Sequence, residues 1–386
     1  MGTMERILRL MAEKEASDLY LSSNAPATLR INGECVPVNA QVLPFDAPRN
    51  LLAEVLTPQR MEELEEAGEL NVGFAMKDVG RFRVSAMRQR GSFAVVIRYI
   101  NSEIPKLETL NLPPILRDLV MEKRGLLLMV GATGSGKSTS LASMIDSRNE
   151  STTGHILTIE EPIEHLFRNK KSIVNQREVG VDTQSLHIAL KNALRQAPDV
   201  ILIGEIRDRD TMSAAIAYAQ SGHLCLATMH ANNSYQALNR VLSFYPAEVR
   251  PTLLGDLAAA LKAIVSQRLL RTVKGTRVPA AEVMLNTKLV ADLIARGDFG
   301  GVQEAMEKSM AEGSQTFEED IARLITHGIV DRREGLAFAD SPTNLVWRLQ
   351  NDFAMAAKAA AAVAAAAVAP ADDSPSFTEI TLDVKH

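Results

Sequence analysis

Nine consecutive residues, Gly131-Ala132-Thr133-Gly134-Ser135-Gly136-Lys137-Ser138-Thr139, carry the densest chemistry in the chain. Four residues separate Gly131 from Gly136, and Lys137 and Ser138 follow, which is the pattern of a phosphate-binding loop. The glycines let backbone N–H groups curl around phosphate oxygens. A helix starting at the end of the loop adds the positive end of its dipole. On this pattern Lys137 is expected to reach the β- and γ-phosphates of ATP, and the Ser138 hydroxyl to sit on Mg²⁺.

Three further clusters bear on what happens to the phosphates. Glu160-Glu161-Pro162-Ile163-Glu164 directly follows an apolar segment. Carboxylates at the carboxyl end of a sheet strand lie where open α/β folds bind ligands. One of them would hold a metal-bound water and another would orient the attacking water; a solvated acidic turn is the plain alternative. The second cluster is Asp199-Val200-Ile201-Leu202-Ile203-Gly204-Glu205-Ile206-Arg207-Asp208, an apolar strand ending in a carboxylate. It fits a Walker B element, with Glu205 binding Mg²⁺ directly or through water. The third is Gly222-His223 with Thr228-Met229-His230, two histidines around one apolar segment, suited to sense or stabilise a γ-phosphate. Arginines cluster separately at Arg81, Arg83, Arg88, Arg90 and Arg98. A guanidinium supplied from a neighbouring subunit can stabilise transition-state charge.

These residues need a frame. Leu126 to Val130 reads as a buried strand into the loop, and Ser140 to Ile145 continues it as a helix. Ile156–Ile159, Val200–Ile203 and Leu224–Thr228 read as further strands. Between the last two, Asp210 reads as the cap of a helix that Gly222 ends. Apolar strands alternating with amphipathic helices indicate a mainly parallel sheet. From Arg250 onward the pattern reads as mostly helical. Residues 1–100 read as a separate small α/β domain: helices over Met4–Lys14 and Arg49–Ala67, strands at Asp18–Leu21, Thr28–Ile31, Cys35–Val38, Gly80–Ala86 and Phe93–Arg98, with an Asn32-Gly33 hairpin turn. Residues 101–114 hold Pro105, Pro113 and Pro114 and read as a linker. Residues 115–351 then form the nucleotide domain with a helical C-terminal part. Residues 352–386 are an Ala-rich tract and polar tail, read as a disordered tail.

Composition narrows the function. A chain of 386 residues with 46% hydrophobic and 23% charged residues matches a soluble globular protein of two or three domains. A formal charge of −5 and a single tryptophan, Trp347, give no electrostatic footprint or stacking platform for nucleic acid. Two distant cysteines, Cys35 and Cys225, fit a reducing cytosol and exclude a four-cysteine zinc site. Met1 to Lys14 is mixed and charged, unlike a secretory leader, and a second methionine stands at Met4. The Ala tract is too short and weakly apolar to span a bilayer, so membrane association is expected only through a partner.

Taken together, Gly131–Thr139, Glu160–Glu164, Gly204–Asp208 and Gly222–His230 resemble the secretion-type ATPases, and more narrowly the type IV pilus retraction ATPases of the PilT/PilU group. The resemblance runs from Met4 to about Asn351. Gly131–Gly134, Arg195–Asp199, Gly222–Thr228 and Leu285–Thr287 look more like the PilU side of the group. It implies a PAS-like N-terminal domain, a RecA-like ATPase domain and a homo-hexameric ring in the cytoplasm. That ring would be peripheral at the inner membrane, acting on the pilus platform protein. It also implies roles: Lys137 and Ser138 as nucleotide and Mg²⁺ ligands, Glu164 as the water-activating glutamate, Glu205 as the Walker B acid, His223 and His230 as the histidine pair. The arginines acting in trans fall around Arg81, Arg83 and Arg98. Glu161 stands where Asp is usual. Leu289-Val290-Ala291-Asp292-Leu293-Ile294 stands where PilT proteins carry Ala-Ile-Arg-Asn-Leu-Ile, so the Arg and Asn are lost. That loss agrees with a chain that assists a PilT-like partner. Competing expectations are a pilus assembly or type II secretion ATPase, and an ATP-binding adaptor ring subunit with weak hydrolysis.

Overall fold

Alternation of apolar and polar side chains builds the first sheet of this computed structural model, which describes residues 2–31, 33–100, 103–308 and 311–351. Its strands are β1 (Asp18–Ser22), β2 (Pro26–Ile31), β3 (Glu34–Val42), β4 (Glu69–Met76), β5 (Gly80–Gln89) and β6 (Ser92–Ile100). They lie in the order β3-β2-β1-β6-β5-β4, and every pair is antiparallel. In β5, Phe82, Val84 and Ala86 are buried while Arg81, Arg83 and Ser85 take the other face. The helix Thr3–Glu13 buries Met4, Leu8 and Met11, one face at helical spacing. These side chains join Leu19, Leu21, Leu52, Leu64 and Ile97 in one core.

The second sheet is mostly parallel and buried on both faces, so its strands read as apolar runs. It comprises β7 (Gly125–Val130), β8 (Gly154–Glu160), β9 (Ser172–Glu178), β10 (Val200–Ile203), β11 (Leu224–Met229), β12 (Leu261–Arg271) and β13 (Arg277–Leu285). The order is β13-β12-β7-β11-β10-β8-β9, with only β13 antiparallel to its neighbour. All six residues of β7 and all six of β11 are buried. Distinct cores fill its two faces, one around Leu126, Leu128 and Ile201, the other around Leu127, Met129 and Leu202.

Several boundaries differ from expectation, each for a physical reason. The segment after Arg250 is not mostly helical: β12 and β13 form a hairpin completing the sheet, before the helices Lys288–Arg296, Phe299–Glu307, Phe317–Thr326 and Arg332–Phe338. Leu, Lys, Gln and Arg in β12 favour helix, but pairing with β7 overrides that preference. Arg49–Ala67 is two helices, Ala47–Ala53 and Pro58–Ala67, because Pro58 starts a new helix capped by Thr57. Strands β4 and β9 were not legible at all. Asp208, not Asp210, caps the helix Arg209–Gln220, accepting from the Thr211 N–H at 2.8 Å. Asn32, residues 101–102 of the expected linker and the whole 352–386 tail lie outside the described residues. Among the described residues no helix is long and apolar enough to cross a membrane.

Candidate active site

The loop Gly131–Gly136 leaves β7 at its carboxyl end and enters the helix Lys137–Ser151. Its glycines are sterically required. Gly136 has φ of 88°, and a Cβ there would meet the Gln267 Nε2 at 2.7 Å. A Cβ on Gly131 would stand 2.6 Å from the Gln267 carbonyl oxygen. Gln267, on β12, braces the loop. Its Nε2 donates to the Ser135 carbonyl at 2.8 Å and its Oε1 accepts from the Ser140 hydroxyl at 2.8 Å. Sequence reasoning missed this residue because it missed the strand.

Lys137 is buried, and its ammonium donates to the Gly131 and Ala132 carbonyls, both at 2.8 Å. Burial pushes the Lys137 pKa below its ordinary value, while the Glu205 and Glu164 carboxylates pull it upward. Ala132, Thr133 and Gly134 are exposed on the loop, Ser135 is buried, and Ser138 and Thr139 are half-buried. Ala132 to Ser135 line a cavity of about 310 Å³ with Asn232, Arg268, Leu269, Arg277 and Phe338.

Glu205 follows β10 directly. It pairs with Arg207 at 2.8 Å and with the His230 Nε2 at 3.2 Å. The other His230 nitrogen lies 3.4 Å from the Gly131 carbonyl, so His230 bridges the Walker B acid and the phosphate loop. Arg207 also reaches Glu161 at 3.3 Å, which ties β10 to the acidic segment after β8. Within that segment Glu161 and Glu164 are exposed. Glu160 is half-buried, its carboxylate accepting from the Thr158 hydroxyl at 2.6 Å and the Gln176 amide at 3.2 Å. Burial raises the Glu160 carboxyl to about 7, against those donors, which lower it. His165, beside Glu164, approaches the Thr139 hydroxyl at 3.4 Å, and its Nδ1 is buried with no hydrogen-bond partner. No sequence signal marked His165 beyond its position next to the acidic segment.

The structure therefore gathers Lys137, Ser138, Thr139, Glu164, Glu205 and His230 at the carboxyl ends of β7, β8, β10 and β11. His223 is not with them. It precedes β11 at the amino end, where its carbonyl accepts from the Gly125 N–H at 3.0 Å and its ring contacts the Ser221 hydroxyl at 3.1 Å. A six-residue strand separates it from His230, roughly 20 Å of chain. The pair flanks a strand, as expected, but within one chain it does not share a site. Of the arginines, Arg98 donates to Asp18 at 2.9 Å, and Arg83 lies opposite it in register. Arg81 is held within its own chain by an ion pair to Glu178 on β9. Arg88 donates to the Glu65 carbonyl at 2.6 Å, and Arg90 sits exposed in the β5–β6 turn.

A phosphate loop after a central parallel strand, with acids at the ends of the strands beside it, defines a RecA-like P-loop nucleotide-binding domain. The chain belongs to the type II/IV secretion system protein family, whose pattern matches residues 5–293, and within it to the PilT/PilU type of pilus retraction ATPases. It is 47% identical over 342 residues to the type IV pilus ATPase PilU of Pseudomonas aeruginosa, covering 88% of this chain and 90% of that one. It is 35% identical over 338 residues to the pilus retraction ATPase PilT of the same organism, covering 88% and 98%. A crystal structure of the pilus retraction motor PilT with bound ADP superposes with a TM-score of 0.83 at 36% identity, covering 89% of this chain and 98% of that one.

Proposed function

We propose that this chain hydrolyses ATP, and that six copies form a ring that drives or assists type IV pilus retraction. The observation that carries the reading is the meeting of Lys137, Glu205, His230 and the acidic segment at the carboxyl ends of the parallel strands, in a chain 47% identical to a PilU. Lys137 exchanges its two loop carbonyls for the β- and γ-phosphate oxygens. The Ser138 hydroxyl and the Glu205 carboxylate are hard oxygen donors that fit Mg²⁺ and would hold it, and the bound ion would supply neutralisation of the phosphate charge. Glu164 orients the attacking water and accepts its proton. His230, on Glu205 and Gly131, reports the γ-phosphate to the β11 end. Of Arg81, Arg83 and Arg98, the candidates to act on a neighbour's nucleotide, Glu178 holds Arg81 and Asp18 holds Arg98 within the chain, which leaves Arg83 the best placed. Work is delivered in the cytoplasm to the platform protein at the inner membrane, with no direct membrane insertion and no nucleic acid.

A partner-dependent role has its own support. The segment standing where PilT proteins carry Arg and Asn presents Leu289 and Asp292 to solvent on the helix Lys288–Arg296. Residues 289–294 themselves contribute no cation, the nearest being Lys288 and Arg296 at their flanks, and this loss of the Arg favours an accessory ATPase working with a PilT-like protein. The test is ATP turnover of the full chain against Glu164→Gln, with oligomer mass followed in the same samples. The expected result is hexamer-borne turnover that falls at least about 100-fold in the variant while the ring persists. Native turnover in Glu164→Gln would remove that residue from its role. Absent turnover in the wild-type ring, with nucleotide still bound, would establish the adaptor reading.

A further inference from the structure

Glu178 ends β9 and is 1% exposed, a depth at which a carboxylate must be compensated. Its partners come from both halves of the chain. One is the Arg81 guanidinium on β5 of the first sheet. The other is the backbone N–H of Ile163, which donates to the same oxygen, Oε2, at 3.1 Å. Ile163 is the residue before Glu164. A single carboxylate oxygen thus connects the N-terminal sheet to the segment carrying the proposed water-activating acid.

The surroundings are built for this contact. A Cβ on Gly73, in β4, would stand 2.7 Å from the Glu178 Oε1 and 2.9 Å from the Arg81 Nη2, so a side chain there would displace the ends of the pair. The Glu178 backbone is pinned as well: its N–H donates to the Asp182 carboxylate at 2.8 Å, and the next N–H, of Val179, donates to the Glu160 carbonyl at 2.9 Å. Arg60, also from the first unit, donates to the Gly180 carbonyl at 2.6 Å and grips the same turn.

We propose that Glu178 is a positioning residue for the Glu160–His165 segment, and that Arg81 sets it, so that ATP hydrolysis depends on docking of the N-terminal sheet against β9. This rests on the reading of Glu164 given above. With Arg81 seated, Glu178 is neutralised and holds the Ile163 N–H, which fixes the backbone from which Glu164 projects. With Arg81 withdrawn, a buried carboxylate loses its countercharge, and the segment must shift or take up water. Among the described residues neither Arg81 nor Glu178 hydrogen-bonds to the phosphate loop, so nucleotide binding is expected to be spared.

The test is steady-state turnover of the full chain in Arg81→Gln, Glu178→Gln and their double variant, with Glu164→Gln as reference. Each single variant is expected to lower kcat by about 10-fold or more while KM for ATP stays within about twofold, since misplacement of a reacting group costs rate rather than binding. The double variant is expected to lose no more than the worse single, because both break one connection. Arg81→Lys, which keeps the charge, is expected to recover most of the lost kcat. Gly73→Ala, which parts the pair without removing either charge, is expected to reproduce the loss. Unchanged kcat in Arg81→Gln, or losses that multiply in the double variant, would overturn the proposal. If Glu178→Gln fails to fold, Arg81→Gln and Gly73→Ala decide by the same criterion. Native turnover in Glu164→Gln signals failure of the underlying reading instead.

Discussion

Among single residues, Glu160 gives the sharpest expectation. Its carboxyl is raised to about 7 chiefly by burial, against an ordinary value of 4.5. The folded chain therefore holds a proton that the unfolded chain releases. This contribution to stability is full below about 4.5 and is lost as pH rises through about 7. Glu160→Gln keeps an oxygen for the Thr158 and Gln176 donors but cannot ionise. The variant is expected to match the wild type in thermal unfolding at pH 5 and to exceed it at pH 8. A gain at pH 5 as large as at pH 8 would contradict a titrating Glu160. Most residues at this scale were legible, since Lys137, Glu205 and His230 stand in local motifs whose spacing survives without any fold. Gln267, His165 and Glu178 were not legible. Each reaches its partner across the sequence, and its type announces nothing: Gln267 meets Ser140 over 127 positions.

At the level of elements, β12 decides how rigid the phosphate loop is. It pairs in parallel with β7 and supplies the Gln267 amide that spans Ser135 and Ser140. Gln267→Ala leaves a buried carbonyl and a buried hydroxyl without that partner, at a cost of about 1–3 kcal/mol each at most. Urea unfolding without nucleotide is expected to show the loss, and ATP affinity to fall with it. Full affinity in the variant would mean that the loop holds its own shape. Alternation exposed β5 and β6 to sequence reading, because one face of that sheet is polar. A strand buried on both faces has no such alternation, and β12 carries residues that favour helix. Hence the parallel core strands were recognised as short uninterrupted apolar runs, Leu126–Val130, Ile156–Ile159, Val200–Ile203 and Leu224–Thr228, without alternation to mark their faces. β9, with Asn175, Gln176 and Arg177 along it, resembled a polar loop.

Across the whole molecule, two sheets of different construction meet through a few polar contacts at the β9 turn, Arg81 with Glu178 and Arg60 with Gly180. Sequence signals separated the two units through their change of pattern and the prolines between them. The meeting surface left no signal, because single arginines on a strand face look like solvated charge. A parting of the units would break few apolar contacts, so relative motion is the natural mode of this chain.

The two thiols give that architecture a chemical clock. Cys35 lies exposed on the edge strand β3, whereas Cys225 is fully buried within β11, where burial pushes its pKa up and leaves almost no thiolate. An alkylating reagent is expected to mark Cys35 within the mixing time, and Cys225 only when the parallel sheet opens. Intact-mass kinetics would then show one adduct at once and a second after a lag. Bound ATP is expected to lengthen that lag and leave the first adduct unaffected. Simultaneous labelling would mean that the centre of the sheet opens far more readily than its packing implies.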